Sequence, residues 1–340
     1  MLRALMTAPG HIEIDSVETP VPSAEQVLIR IMRIGVCGSD IHVWHGKHPY
    51  TSYPVVQGHE VAGEIAALGA GVSGFSVGDR VTVMPQVTCG QCYPCRHGKY
   101  HICDSLKVMG FQTTGTASEY FAADAAKVLR LPPDMGFEHG AMIEPLAVAV
   151  HALSRAGDVS GMKVAVLGGG PIGNLVAQTA CALGADDVIL MEVNPFRLEL
   201  AGQCGIPHPV DTRTMSLKDA IDEYFGPDGA DLILECVGSG RLIGQAVSCA
   251  RKGSDIIVVG VYGETPSVDL GLVQDKELRL IGTLMYQERD YIRAIEMAPQ
   301  IKLGPLITHR FSLSEYADAY KAIETNGDKT MKIMICLNED

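Results

Sequence analysis

Three short segments of this sequence carry side chains that commonly bind metal ions. Cys37 begins a Cys-Gly-Ser-Asp run, His59 and Glu60 stand together between glycines, and Glu144 precedes a proline. Cysteine, histidine and carboxylate are the ligand types of zinc, and three protein ligands with one open position make a catalytic rather than a structural site. We therefore expect Cys37, His59 and Glu144 to hold a catalytic zinc, with Glu60 as a fourth or exchangeable ligand.

Each of these residues also has a simpler interpretation when it is taken alone. A single cysteine such as Cys37 is most often a buried core side chain, and a single histidine such as His59 is most often a hydrogen-bonded core residue. The carboxylate next to His59 and the glycines on both sides, which permit close backbone approach, favour the metal interpretation. Among the histidines of the following loop, only His42 is singled out, because it lies five residues after Cys37.

A second metal site is indicated by Cys89, Cys92, Cys95 and Cys103. Four thiolates within so short a segment can surround one tetrahedral zinc and leave no open position, so this site is expected to be structural. An iron–sulfur cluster is the alternative. It is disfavoured because the compact ferredoxin pattern has its fourth cysteine three residues after the third and followed by proline, whereas Asp104 follows here.

A nucleotide-binding loop is indicated in the second half of the chain. The apolar run 163–167 predicts a buried parallel strand, and a helix is predicted over 172–183. The segment between them fits G-x-G-x-x-G in the strand-to-helix context that this pattern requires. There a dinucleotide pyrophosphate can approach the backbone at the helix N-terminus. The residues expected to contact the cofactor are Gly168, Gly170, Pro171, Ile172 and Gly173.

An acidic residue closes the next predicted strand, 188–192. Glu192 follows Gly173 by 19 residues (192 − 173), close to the spacing of about 20 at which an acid binds the adenosine ribose. A carboxylate there repels a 2′-phosphate, which selects NAD over NADP. Arg197 lies nearby and is the kind of residue that accommodates that phosphate, so NADP is the alternative.

Composition excludes several classes of partner. The 340 residues carry a formal net charge of −13, which argues against nucleic acid or an anionic membrane surface as partner. The first residues run directly into a strand-like pattern, so no signal peptide is expected, and no apolar run is long enough to span a membrane. We expect a cytoplasmic protein that acts on a small molecule.

The predicted elements that position these residues fall into two groups. Short strands at 27–32, 61–65 and 80–83 with frequent turns predict a β-rich barrel-like domain, and no helix is predicted before about Glu138. Strands that alternate with helices predict a doubly wound parallel sheet beyond residue 151. These strands are expected at 163–167, 188–192, 231–235, 255–259 and 278–281. The strand-like tail 332–336 is expected to rejoin the first domain.

Taken together, these motifs resemble the zinc-dependent medium-chain dehydrogenase family over essentially the whole chain. The Gly-His-Glu segment, the four-cysteine lobe and the glycine loop all match that family. Its alcohol dehydrogenases use cysteine as the third ligand, whereas Glu144-Pro145 is similar to the sorbitol (polyol) and threonine dehydrogenase branch. The resemblance implies an α/β protein with a GroES-like catalytic domain, residues 1–150 with 290–340, and a Rossmann domain, residues 151–289, with the active site in the cleft between them.

The resemblance also implies roles for particular residues. Ser39 corresponds to the hydroxyl that takes the substrate proton, and His42 to the outer histidine of that relay, reached through the cofactor ribose. Arg197 corresponds to a basic residue near the adenosine. One catalytic zinc, one structural zinc and NAD are implied for each chain, in a homo-oligomer that is a dimer or a tetramer.

Two departures leave the substrate open. Polyol dehydrogenases carry an Arg-Tyr pair where this chain has Met285-Tyr286, and threonine dehydrogenases carry histidine where Gln86 stands. The segments around Cys95 and Met109 resemble bacterial relatives that oxidise sugar acids such as galactonate. We expect hydride transfer from a secondary alcohol, a polyol or sugar acid, to NAD. An L-threonine-type dehydrogenase and a non-catalytic nucleotide-binding protein are the alternatives.

Overall fold

A computed structural model describes residues 1–338 of the chain. The chain folds into two compact units, Met1–Glu144 with Ile307–Asp340, and Pro145–Leu306. The boundaries expected from the sequence are 150/151 and 289/290, and they stay a prediction. Helix α4 (Ile143–Ser154) runs across the first boundary between the units.

Short strands dominate the first unit, as its turn-rich sequence predicts. Its strands before the second unit are β1 (Leu2–Ala8), β2 (His11–Ser16), β3 (Gln26–Val36), β4 (Glu60–Leu68), β5 (Arg80–Val83), β6 (Gln86–Val87), β7 (Lys107–Val108), β8 (Tyr120–Asp124) and β9 (Val128–Arg130). Its helices there are α1 (Gly38–Trp44), α2 (Tyr93–Arg96) and α3 (Phe137–Ala141), with 3₁₀ turns at Tyr100–Ile102 and Ala125–Lys127.

Parallel strands separated by helices build the second unit. After α4, its elements are β10 (Lys163–Leu167), α5 (Pro171–Ala182), β11 (Asp187–Glu192), α6 (Pro195–Gln203), β12 (His208–Asp211), α7 (Leu217–Ala220), β13 (Leu232–Glu235), α8 (Gly240–Cys249), β14 (Asp255–Val258), α9 (Leu270–Asp275), β15 (Arg279–Gly282) and α10 (Glu288–Met297). A π-helical turn, Ile221–Phe225, continues α7, and 3₁₀ turns lie at Gly226–Asp228, Ala298–Gln300 and Gly304–Leu306.

The chain then returns to the first unit, as expected for the tail. Strand β16 (Ile307–Ser312) leads through the 3₁₀ turn Leu313–Glu315 into α11 (Tyr316–Asn326), and the 3₁₀ turn Gly327–Lys329 precedes β17 (Lys332–Cys336). Strand β17 pairs in parallel with β16 and antiparallel with β3. This pairing brings the last described strand beside the strand that ends just before Cys37.

The main sheet of the first unit runs β16-β17-β3-β4-β5-β9, with β8 also paired to β3. Strand β3 lies at its centre, and its side chains from Val27 to Val36 are almost all buried. Because β3 and β4 are adjacent and antiparallel, Gly35 is opposite Glu60 in the register. The metal-binding segments after β3 and before β4 therefore meet at one end of this sheet.

The sheet of the second unit has the order β12-β11-β10-β13-β14-β15, and every neighbouring pair is parallel. This is the doubly wound order, whose direction reverses between β10 and β13. Strands β10 and β13 are buried along nearly their whole length, which explains their continuous apolar sequences. The predicted sheet of alternating strands and helices is confirmed.

One local prediction was wrong. Helix α1 precedes Glu138, but its seven residues are too few to show a helical period in the sequence. Within the described residues, no helix is long and apolar enough to cross a membrane.

Candidate active site

The four clustered cysteines come together as the sequence predicts. Their Sγ atoms all lie within 4.8 Å of one another, with Cys92 3.7 Å and Cys89 3.5 Å from Cys103. Zinc–sulfur bonds of about 2.3 Å in a tetrahedron place sulfurs about 3.8 Å apart, so the cluster fits zinc. Backbone N–H groups of Gln91 and Cys92, with neighbouring thiols, lower the pKa of Cys89 to about 6, which favours the thiolate that zinc requires.

A second cluster lies at the junction of β3, α1 and β4. One donor atom each from Cys37, His59 and Glu60 lies within 4.8 Å of the other two. Cys37 is the N-cap of α1, and Glu60 begins β4. His59 and Glu60 are buried, and Cys37 is partly buried. A thiol, an imidazole and a carboxylate gathered in a mostly buried position form a donor set suited to zinc.

Asp40 stands behind this cluster and was not singled out from the sequence. Its side chain is 1% exposed, accepts the backbone N–H of Cys37 at 2.9 Å and lies 3.6 Å from His59 Nδ1. Burial raises the pKa of Asp40. Burial alone would lower the pKa of His59, but the charges of Asp40, Cys37 and Glu144 raise it well above its usual value. The cluster is thus an electronegative site that attracts a cation.

Lys332 is a second residue that the sequence did not reveal. Its Nζ lies 2.7 Å from Oε1 and 2.8 Å from Oε2 of Glu60, and donates to the Val36 carbonyl at 3.2 Å. Both side chains of this ion pair are buried, at 3% and 1% exposure. Gly35 makes room for it, since a Cβ there would lie 2.1 Å from Glu60 Oε2. Glu60 is therefore held by a lysine while it lies beside the metal-binding donors.

The other expected residues occupy the same region but are arranged differently. Glu144, in the first turn of α4, is buried and close enough to raise the pKa of His59, yet the group of donors within 4.8 Å does not include it. Ser39 Oγ donates to Cys37 Sγ at 3.2 Å, so its hydroxyl lies against the cluster. His42, in the last turn of α1, is exposed. Their ligand and relay roles stay predictions.

The glycine loop of the second unit has the expected conformation. It joins β10 to α5, with Gly170 as the N-cap of the helix and Pro171 as its first residue. A cavity of about 660 Å³ lies against this loop. Its lining includes Gly168, Gly170, Glu192, Arg197, Thr212 and Ser239. The cavity lies at the carboxyl ends of the strands, where doubly wound sheets bind nucleotides.

Glu192 is turned towards the backbone of this loop. Its Oε2 accepts the N–H of Gly169 at 2.9 Å, and its Oε1 accepts those of Val193 and Asn194 at 2.6 and 2.9 Å. Arg197 Nη1 lies 3.8 Å from Oε2. A carboxylate has about four lone-pair positions, so three backbone donors leave room for about one more hydrogen bond.

Met285, which stands where polyol dehydrogenases carry arginine, is partly exposed, whereas the tyrosine that follows it is buried. Tyr286 is fully buried and meets Tyr291 edge-on, with ring centroids 5.1 Å apart. Gln86 is also buried, at 1% exposure.

Comparisons with known proteins cover both the β-rich first unit and the parallel-sheet second unit. The family model "Alcohol dehydrogenase GroES-like domain" matches residues 23–133, and the model "Zinc-binding dehydrogenase" matches residues 171–300. A 2-dehydro-3-deoxy-L-galactonate 5-dehydrogenase of Pseudoalteromonas atlantica is 35% identical, with 93% of each chain covered. The chain belongs to the zinc-binding dehydrogenase family. This confirms the predicted family, its two-part fold and its enzyme class, an NAD-dependent zinc dehydrogenase acting on a CH–OH group.

Other members of the zinc-binding dehydrogenase family are similarly related to the chain. A sorbitol dehydrogenase of Halalkalibacterium halodurans is 34% identical, with 96% of each chain covered. The solved structure of galactitol-1-phosphate dehydrogenase from Escherichia coli is 29% identical, with a TM-score of 0.92 over 99% of this chain and 100% of that one. The names of these relatives agree with the predicted polyol or sugar-acid class.

Proposed function

We propose that this enzyme oxidises a secondary alcohol of a polyol or a sugar acid, with a zinc ion at the Cys37 cluster and NAD as hydride acceptor. The observation that carries the proposal is the mostly buried group of Cys37, His59 and Glu60, with Asp40 behind it. Its thiol, imidazole and carboxylate donors are the ligand types of a catalytic zinc site. The relatives named for galactonate and sorbitol derivatives support the substrate class.

Each residue of the site has a distinct task in this proposal. Cys37, His59 and Glu144 would hold the ion, and Asp40, 3.6 Å from His59 Nδ1, would be the outer carboxylate that orients the ring once the metal is bound. A zinc ion held there supplies a Lewis acid that makes a neighbouring hydroxyl more acidic. Ser39 Oγ, which touches the Cys37 thiol, accepts the hydroxyl proton as it passes its own proton on towards His42.

The proton then has to leave the buried region. His42 follows Ser39 by three residues on α1 and is exposed, so its imidazole passes the proton to solvent. Glu60 is paired with Lys332, and its carboxylate would be available to the ion as an exchangeable fourth ligand.

The second unit binds the nucleotide in this proposal. The loop from Gly168 to Gly170 and the first turn of α5, Pro171, Ile172 and Gly173, receive the pyrophosphate at the helix N-terminus. Glu192 accepts a ribose hydroxyl with its remaining lone pair, and Arg197 lies beside it. NAD bound there would supply the hydride acceptor, and these residues would orient it.

The enzyme is also proposed to act as a homo-oligomer in the cytoplasm. Strand β15 is the edge of the second sheet, and its Leu280 is 37% exposed, with Leu284 just beyond it 52% exposed. An apolar sheet edge of this kind is a template for pairing with another strand. All ten cysteines are free, as is usual in a reducing compartment.

A substrate panel tests the proposed reaction. The purified protein, with its zinc content determined, is given polyols, aldonates, L-threonine and simple alcohols with NAD⁺ or NADP⁺, and NADH absorbance is followed. The proposal predicts NAD⁺-dependent turnover of one sugar-derived alcohol with about two zinc ions per chain. Turnover of L-threonine alone would favour the amino-alcohol alternative. The absence of turnover with the whole panel would contradict the proposed substrate class.

A further inference from the structure

A fully buried carboxylate ends the strand β13, and neither the zinc site nor the glycine loop uses it. Glu235 is 0% exposed, and within residues 1–338 no lysine or arginine pairs with it. Its Oε1 accepts the N–H groups of Val237 and Gly238, each at 3.0 Å, and its Oε2 accepts the hydroxyl of Tyr262 at 2.9 Å. Burial of a carboxylate costs free energy unless hydrogen bonds replace water, so these neutral donors are what keep it there.

Glu235 joins two loops that are distant in the sequence. Val237 and Gly238 follow β13, whereas Tyr262 follows β14. The backbone of Glu235 strengthens the link, because its carbonyl accepts the N–H groups of Val259 and Gly260 at 2.9 Å.

The two loops are also packed backbone against backbone. A Cβ on Gly238 would lie 2.2 Å from the carbonyl oxygen of Val261, and a Cβ on Gly260 would lie 2.0 Å from the Gly238 nitrogen. No side chain fits between them, so the loops after β13 and β14 form one rigid platform.

The position of this platform in the sheet indicates what it supports. A dinucleotide lies across the carboxyl ends of the strands where the strand order reverses, which here is between β10 and β13. The glycine loop and Glu192 lie at the ends of β10 and β11, so they take the pyrophosphate and the adenosine ribose. The loop after β13 also lines the cavity beside these residues through Val237 and Ser239, so the nicotinamide half extends from there towards the end of β14.

The surface of the platform suits an aromatic ring. Val237 is 52% exposed and Val261 is 87% exposed, one on each loop. Large apolar side chains on loops at a nucleotide crevice provide contact area that a ring can cover.

We propose that Glu235 and Tyr262 are a positioning pair that holds these two loops as the support for the nicotinamide half of NAD. This inference rests on the proposed use of NAD. Burial and then the hydrogen bond to Glu235 raise the pKa of Tyr262, so the phenol stays a donor throughout the working pH range. The pair acts through the backbone that it orders and does not touch the reacting atoms.

The test compares two ligands that share the adenosine half. Equilibrium binding of NADH and of ADP is measured on the zinc-replete enzyme, on Tyr262→Phe and on Glu235→Gln. The matched control is Tyr224→Phe, because the ring of Tyr224 stacks on His208 and no hydrogen bond of its hydroxyl is found among the described residues. Zinc content and the thermal midpoint are recorded for each variant.

The positioning role predicts a selective loss. The Kd for NADH should rise about tenfold in Tyr262→Phe, the effect of losing one hydrogen bond to a charged group, while the Kd for ADP stays within about twofold. Equal losses for both ligands, or no loss for either, would overturn the role. If the unmodified enzyme binds neither ligand, the proposed use of NAD fails as well, so the two failures are distinguishable.

Discussion

The buried ion pair between Lys332 and Glu60 makes a strong prediction about stability. Lys332 Nζ contacts both carboxylate oxygens, at 2.7 and 2.8 Å, and both side chains are almost fully buried. Lys332→Met removes the cation and leaves Glu60 buried without a counter-charge. Loss of one partner from such a pair costs about 3–5 kcal/mol. With a urea m-value of about 2 kcal/mol/M, the unfolding midpoint of the first unit should fall by about 2 M.

The chain offers a local probe for this measurement. Trp44 is its single tryptophan, lies in the first unit and is 5% exposed, so its fluorescence reports the unfolding of that unit. Urea titrations are run on the protein after chelation of the zinc at the Cys37 site, and on each variant in the same state, so that no metal ion replaces the lysine as counter-charge. Lys321→Met is the matched control, since Lys321 forms an exposed ion pair with Asp318 on α11 and should barely move the midpoint.

A double variant separates charge from packing. Glu60→Gln combined with Lys332→Met leaves two neutral side chains in place of the pair, and it should recover most of the loss, because the cost comes from the unpaired charge. A shift for Lys332→Met no larger than that for Lys321→Met would show that the buried pair does not stabilise the unit. A double variant as unstable as the single one would show that packing, and not charge, causes the loss.

Three further variants test individual contacts. Asp40→Asn should weaken zinc binding at the His59 site about 10- to 100-fold in a chelator competition, since it loosens the orientation of the ring; unchanged affinity would remove Asp40 from this role. Ser39→Ala should slow alcohol oxidation about 10²- to 10⁴-fold at neutral pH, and an unchanged rate would show that water carries the proton. Hydrogen bonds from Arg310 hold the pKa of Glu138 below its usual 4.5. The Glu138–Arg310 pair therefore stabilises the first unit above pH 4.5, and this stabilisation is lost as the pH falls through the lower pKa that Glu138 has in the folded state. Arg310→Met should make the loss of stability in acid less steep, and an unchanged dependence of stability on pH would contradict this.

The features predicted best from the sequence are those whose residues are close together in it. The four cysteines need only a short segment to surround one ion, and the glycine loop needs only a strand before it and a helix after it. In both cases the sequence segment itself contains all the residues that define the geometry, so this geometry could be inferred before the fold was known.

The features that were missed depend on contacts between distant residues. Lys332 meets Glu60 across 272 positions, and a lysine in a strand-like tail shows no sign of burial in the sequence alone. Tyr262 reaches Glu235 only because β13 and β14 are adjacent in the sheet. Asp40 is different, since it lies in the same run as Cys37, and the known preference of ligating histidines for an outer carboxylate was a usable signal.

Removal and restoration of the zinc proposed at Cys37, His59 and Glu144 tests the catalytic role of this site most directly. Chelation is continued until about one zinc per chain remains, the one held by four thiolates, and zinc is then added back while NADH formation is followed. We expect activity to be lost and to return in proportion to one added equivalent, whereas Cys37→Ser binds NADH but never recovers turnover. Full activity in the chelated protein, or normal turnover by Cys37→Ser, would contradict a catalytic zinc at this site.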